Sequence, residues 1–105
     1  MREYEIRRGL GKALAAGGLR AIVDETFGAS SMEGDRIVAT FGAIRRLATW
    51  TDGKSLFVDT TMDPSVESAT AADTIRRFNA FLERATGYTT KQRGKREQDR
   101  VKAAD

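Results

Sequence analysis

Three turn signals cut the middle of this chain into short pieces: Glu33-Gly34-Asp35, Phe41-Gly42-Ala43 and Asp52-Gly53. The pieces between them are rich in β-branched and aromatic residues and too short for stable helices, so each reads as a strand. Asp-Gly is the strongest of the three signals, because a type I′ hairpin turn needs positive φ at both central residues. The spacing places strands near 29–33, 35–41, 44–51 and 54–62, joined as an antiparallel meander. In the last of these, Leu56, Val58, Thr60 and Met62 share one face, and Ser55, Phe57, Asp59 and Thr61 share the other.

The flanks read differently. Residues 3–8 alternate, with Tyr4 and Ile6 on one side, and predict a half-buried strand that Gly9 and Gly11 end. Residues 10–27 predict a helix with Leu14, Ala15, Leu19, Ile22, Val23 and Phe27 on one stripe. Gly17-Gly18 weakens it by about 1 kcal/mol per glycine, so it kinks or splits there. Asp63-Pro64 ends the meander. Thr70-Ala71-Ala72-Asp73 resembles a capping box and opens a helix over about 71–86, stopped by Gly87. The order is β-α-β-β-β-β-α. It predicts an α+β fold, with one antiparallel sheet and two helices on one face.

With 105 residues the chain suffices for one domain. Residues 1–87 are that domain. The net charge is +3 and lies wholly in residues 88–105, where Lys91, Arg93, Lys95, Arg96, Arg100 and Lys102 outnumber Glu97, Asp99 and Asp105. That segment has too little apolar surface to order itself, so a mobile or marginally helical basic tail is expected. No long apolar run is present, which predicts a cytoplasmic protein without signal peptide or membrane span.

The chain has no His and no Cys. Disulfides, thiolate metal sites, thiol nucleophiles and every His-based relay are therefore excluded. Catalysis would fall to carboxylates, Lys or Tyr with strongly displaced pKa values, so no enzyme activity, cofactor or metal is expected. Gly9-Leu10-Gly11-Lys12 lacks the third glycine of a dinucleotide fingerprint and the spacing of a P-loop, and reads as a hinge. Asp24-Glu25, Arg45-Arg46 and Arg76-Arg77 read as solvated surface.

Two helices cover one sheet face, and the other must meet water or a partner. Turning Ile37, Ala39 and Phe41 inward leaves Arg36, Val38 and Thr40 outside. The phase of 44–51 is open. With Ala48 and Trp50 inside, the outer set is Arg45, Leu47, Thr49 and Thr51. The outer face then carries Val38, Leu47 and Phe57 among Thr, Ser and Arg, an apolar patch of the kind that marks an interface.

The element order resembles one half-repeat of the TATA-binding-protein-like topology over residues 3–86. That resemblance implies an outer face able to meet DNA, although Phe57 alone stands where that family has paired Phe wedges. The opening Glu3-Tyr4-x-x-Arg7-Arg8-Gly9, the length and the Asp-Gly hairpin resemble a small archaeal family of unknown function, seen in haloarchaea and methanogens. No site residues follow from it.

The leading expectation is a non-catalytic binding or assembly module that forms a homodimer through Val38, Leu47 and Phe57. A nucleic-acid accessory protein is the second, with Arg36, Arg45, Lys91, Arg93, Lys95 and Arg96 on phosphates. The third is a small-molecule binder, with a pocket between sheet and helices near Tyr4, Trp50 and Phe78.

Overall fold

The turn signals produce the meander. The structure is a computed structural model that describes residues 2–95. Strands β1 (Arg2–Glu5), β2 (Ser31–Glu33), β3 (Arg36–Phe41), β4 (Ile44–Thr51) and β5 (Ser55–Met62) form one antiparallel sheet in the order β1-β5-β4-β3-β2. The meander β2 to β5 is sequential, and β1 adds beside β5 at the far edge. β1 is shorter than the alternation suggests because the chain leaves the sheet early. The N–H of Arg7 donates instead to the Thr86 carbonyl at 2.7 Å.

The first helical segment is broken, as the Gly pair requires. A single turn, α1 (Gly11–Ala13), runs through a π-helical turn at Leu14–Gly18 into α2 (Leu19–Phe27). The backbone leaves helical geometry at Ala16 and Gly17, and Gly17 has φ 100°. A side chain at that φ would be strained, so glycine is what allows the break. The last helix, α3 (Ser68–Thr86), starts earlier than its Thr70 signal suggests, and Glu67 flanks it without a side-chain cap. The Thr70 carbonyl lies within the helix and accepts from the Thr74 hydroxyl at 2.7 Å.

Among the described residues, the buried apolar side chains other than Ala43 and Ala48 form one core between the helices and one sheet face. Phe27 of α2 contacts Phe41 of β3 and Phe81 of α3 at centroid distances of 5.8 and 5.6 Å. Around them lie Val23, Ile37, Leu47, Leu56, Val58 and Leu82. Arg77 is not the plain surface cation its sequence context suggests. Its guanidinium covers the Phe41 ring and donates to the Thr26 carbonyl at the end of α2.

The phase of β4 corrects the outward placement of Leu47 and Thr49. Both are 0 % exposed and face the helices, while Trp50 faces away from them. The reason is one extra residue. Leu47 pairs with Ala39 and Ile44 with Phe41, so β4 takes three steps where β3 takes two. Against β5, Arg46 pairs with Thr61 and Ile44 with Met62, two steps against one. The β-bulge in β4 near Arg45 turns both Ile44 and Leu47 inward, which strict alternation forbids.

The β4–β5 turn is packed against the start of α1. A Cβ built on Gly11 would lie 1.9 Å from the Gly53 carbonyl oxygen. Backbone cannot yield as a flexible side chain can. Gly11→Ala is therefore expected to lower stability by roughly 1–3 kcal/mol, the usual range for overpacking. The shift in urea midpoint at unchanged slope measures it.

Candidate functional site

The open sheet face is assembled by register. Glu3 pairs with Phe57, Phe57 with Trp50, and Arg36 with Glu33. The Arg36 guanidinium carbon sits 4.1 Å from the Trp50 ring centroid. One row across the sheet thus reads Glu3, Phe57, Trp50, Arg36, Glu33. Trp50 and Phe57 stack with centroids 5.6 Å apart and planes 15° from parallel. Both are half-buried, and by register they alternate with Thr49, Leu56 and Val58 of the core face. Directly opposed aromatic pairs and a cation on an indole each contribute on the order of 0.5–1 kcal/mol. The platform is therefore held in shape before any partner arrives.

The next row holds Asp59, Ala48, Val38 and Ser31. Arg46, opposite Thr61, donates to the Glu33 carboxylate at 3.1 Å. Across the whole face, Arg36 and Arg46 stand against Glu3, Glu5, Glu33 and Asp59. The acids Glu3, Glu5 and Asp59 lie on β1 and β5, and both arginines lie on β3 and β4. Charge on the face is therefore divided between its two halves.

The residues singled out from sequence are dispersed. Val38 and Phe57 lie on the open face, half-buried. Leu47 does not, because the bulge turns it into the core. Arg36 lies on the face, over Trp50. Arg45 lies at the bulge and pairs with Asp63 at 3.5 Å, away from the aromatic row. Lys91 and Lys95 are exposed on a helical stretch that begins at residue 90. Arg93 is occupied, donating to the Tyr88 carbonyl at 2.6 Å and to the Thr90 hydroxyl at 3.0 Å. Partial burial lowers its pKa. Arg96 lies outside the described residues.

Trp50 belongs to the face, beside Phe57, and not to a pocket with Tyr4 and Phe78; Glu3, Glu33 and Arg46 also belong to it, and the sequence reading assigns none of the three to a site. A parity signal could have found Trp50. A β4–β5 loop of even length pairs odd residues of β4 with even residues of β5. With Leu56 and Val58 inward, Leu47, Thr49 and Thr51 must then go inward and Trp50 outward.

A groove of about 400 Å³ opens where the broken helix passes the sheet end, lined by Leu14, Leu19, Met32, Ile37 and Trp50, with Arg20 and Asp35 on its walls. It touches neither Tyr4 nor Phe78. Those two side chains pack against the core instead. Among the described residues no three His, Cys, Asp or Glu side chains converge to hold a metal ion. Nor is any helix there long and apolar enough to cross a membrane.

The hairpin that sets the row is held by Asp52. Its carboxylate accepts the N–H groups of Ser55 at 2.8 Å and Lys54 at 2.9 Å. Those bonds hold its pKa below the ordinary 3.8, with that to Ser55 the larger cause. A depressed carboxylate stabilises the fold above its unfolded pKa and loses that contribution as pH falls through the folded value. The stability gap between the native chain and Asp52→Asn should therefore be widest above pH 3.8 and close on acidification below it. Urea titrations at several pH values measure it.

Comparison with known proteins adds a family and a fold. The model for a domain of unknown function, DUF5611, matches residues 1–99. A hypothetical protein from Thermoplasma acidophilum, solved by NMR in solution, superposes with a TM-score of 0.65 at 29 % identity, over 92 % of this chain and 97 % of that one. No curated protein matches.

Proposed function

We propose that this chain, which belongs to the DUF5611 family, is a non-catalytic assembly module that forms a homodimer through its open sheet face. The observation that carries this reading is the stacked Trp50–Phe57 pair, uncovered at the centre of the face. An aromatic pair is among the most favourable surfaces a chain can bury against a partner. The strands hold 4, 3, 6, 8 and 8 residues, and at about 3.3 Å per residue and about 4.8 Å between strands they offer roughly 460 Å² of projected sheet. That is a little over half of the ~800 Å² per partner of a standard interface before side-chain relief is added. A modest, concentration-dependent dimer is the result.

Nucleic acid is the weaker occupant. The half-repeat resemblance to TATA-binding-protein-like topology would use the same face as a saddle on DNA. Four carboxylates against two arginines oppose a phosphate backbone there. Of the tail cations among the described residues, Lys91 and Lys95 are exposed, and Arg93 is held by its own chain. A face-to-face dimer and a DNA saddle also exclude one another, since both consume the aromatic row.

Light scattering on a dilution series tests the reading. The native chain should approach twice 11.5 kDa at high concentration. Phe57→Glu should remain at the single-chain mass, because a charge buried against an apolar partner costs several kcal/mol. A native chain that stays monomeric near ~1 mM, where only binding weaker than about −4 kcal/mol escapes notice, overturns the proposal.

A further inference from the structure

We infer that the partner seated on this face is a second copy related by a two-fold axis that runs along the strands between β4 and β5, so that Glu3 of each copy meets Arg36 of the other. The inference rests on the homodimer reading and specifies its register. It follows from the order of charges along the central row and from what a two-fold operation does to that order.

Two sheets packed face to face as identical partners are related by an axis lying in the interface. An axis along the strands preserves position along the strand and reverses position across the sheet. Passing between β4 and β5, it lays β5 of one copy over β4 of the other, and β1 over β3. Residues of one row then meet residues of the same row. Phe57 meets Trp50, and Trp50 meets Phe57, so two stacked pairs become a four-ring cluster on the axis. Glu3, one strand outside Phe57, falls over Arg36, one strand outside Trp50.

The alternatives are worse. An axis along β4 would place β5 over β3 and bring Phe57 over the Arg36 position. It would also set Glu3 of β1 over Glu33 of β2, carboxylate on carboxylate. An axis along β5 would place β4 over β1. Trp50 would then lie over Glu3 of the other copy, and each indole would face a carboxylate instead of a ring. Only the axis between β4 and β5 pairs every acid of the central row with a base or leaves it outside the overlap. Glu33 falls beyond β1 of the other copy and keeps Arg46. The exposed Arg36 charge rests on an indole and remains open on its outer side to a carboxylate.

Reciprocal charge exchange tests this register. In Glu3→Arg, two arginine pairs oppose each other across the dimer. In Arg36→Glu, two glutamate pairs do. Mixed, the two variants recover two attractive pairs in the heterodimer. Each variant alone should dimerise about tenfold or more weakly than the native chain, and the mixture should return to within about threefold of it. Light scattering on one chain fused to a mass tag separates hetero- from homodimers. Circular dichroism confirms that both variants are folded. Glu3→Arg alone supplies a second readout, because salt should tighten its dimer by screening the repulsion. If the native chain dimerises and Phe57→Glu does not, yet the mixture is no tighter than either variant, the register is wrong and the homodimer stands. If the native chain never dimerises, both fall together.

Discussion

One extra residue in β4 decides what this molecule shows to solvent. Strict alternation along a strand sends every second side chain to the same side. The β3–β4 turn, joining Phe41 to Ile44, would by itself put Ala48 and Trp50 on the core side with Ile37. The β4–β5 turn puts Leu47 and Thr49 there with Leu56 and Val58. Both hairpins exist, and they are reconciled by the bulge near Arg45. Ahead of it the strand obeys its first neighbour, and beyond it the second. Asp63 secures the place from outside, through its N–H on the Ala43 carbonyl and its carboxylate near Arg45.

The element order, the antiparallel meander, the two-helix layer and the break at Gly17 were legible because each rests on local signals. The bulge was not, because neither hairpin alone reveals it. Polarity misled as well. Thr49 reads as an outward residue, yet its hydroxyl donates to the Phe57 carbonyl at 2.8 Å, and so it lies in the core at little cost. Trp50 reads as core because it is the largest apolar side chain in the chain, although tryptophan is seldom buried completely. At the other end, Thr89 and Gln92 form a reciprocal capping box. It opens the helical stretch at residue 90, inside the segment whose charge reads as a mobile or marginally helical tail. The candidate site was therefore half legible. Val38, Phe57 and Arg36 stand where alternation puts them, and Leu47 and Trp50 exchange places.

The exposed face owes its rigidity to contacts that a wet sheet would not need. The aromatic pair, the arginine on the indole and the Glu33–Arg46 bridge run across four strands of the sheet and hold its side chains in one arrangement. The opposite face is held by the phenylalanines of β3, α2 and α3. The exposed Arg84–Glu25 pair also ties the two helices together. Core and platform are thus separate layers that share β4, whose alternate residues serve one and then the other.

The position of β1 gives the sheet an assembly order. Each hairpin of the meander closes over a handful of residues. Arg2, by contrast, meets Val58 across more than fifty residues of chain. Contacts so distant carry the larger loop-closure entropy and form after the local ones. On a ribosome the first strand emerges first and waits, unpaired, until the last strand is complete. Until then β5 presents an open edge, and the row runs from Phe57 to Glu33 without Glu3. The platform is therefore finished by residues made well before the strand they join, and only once that strand is complete.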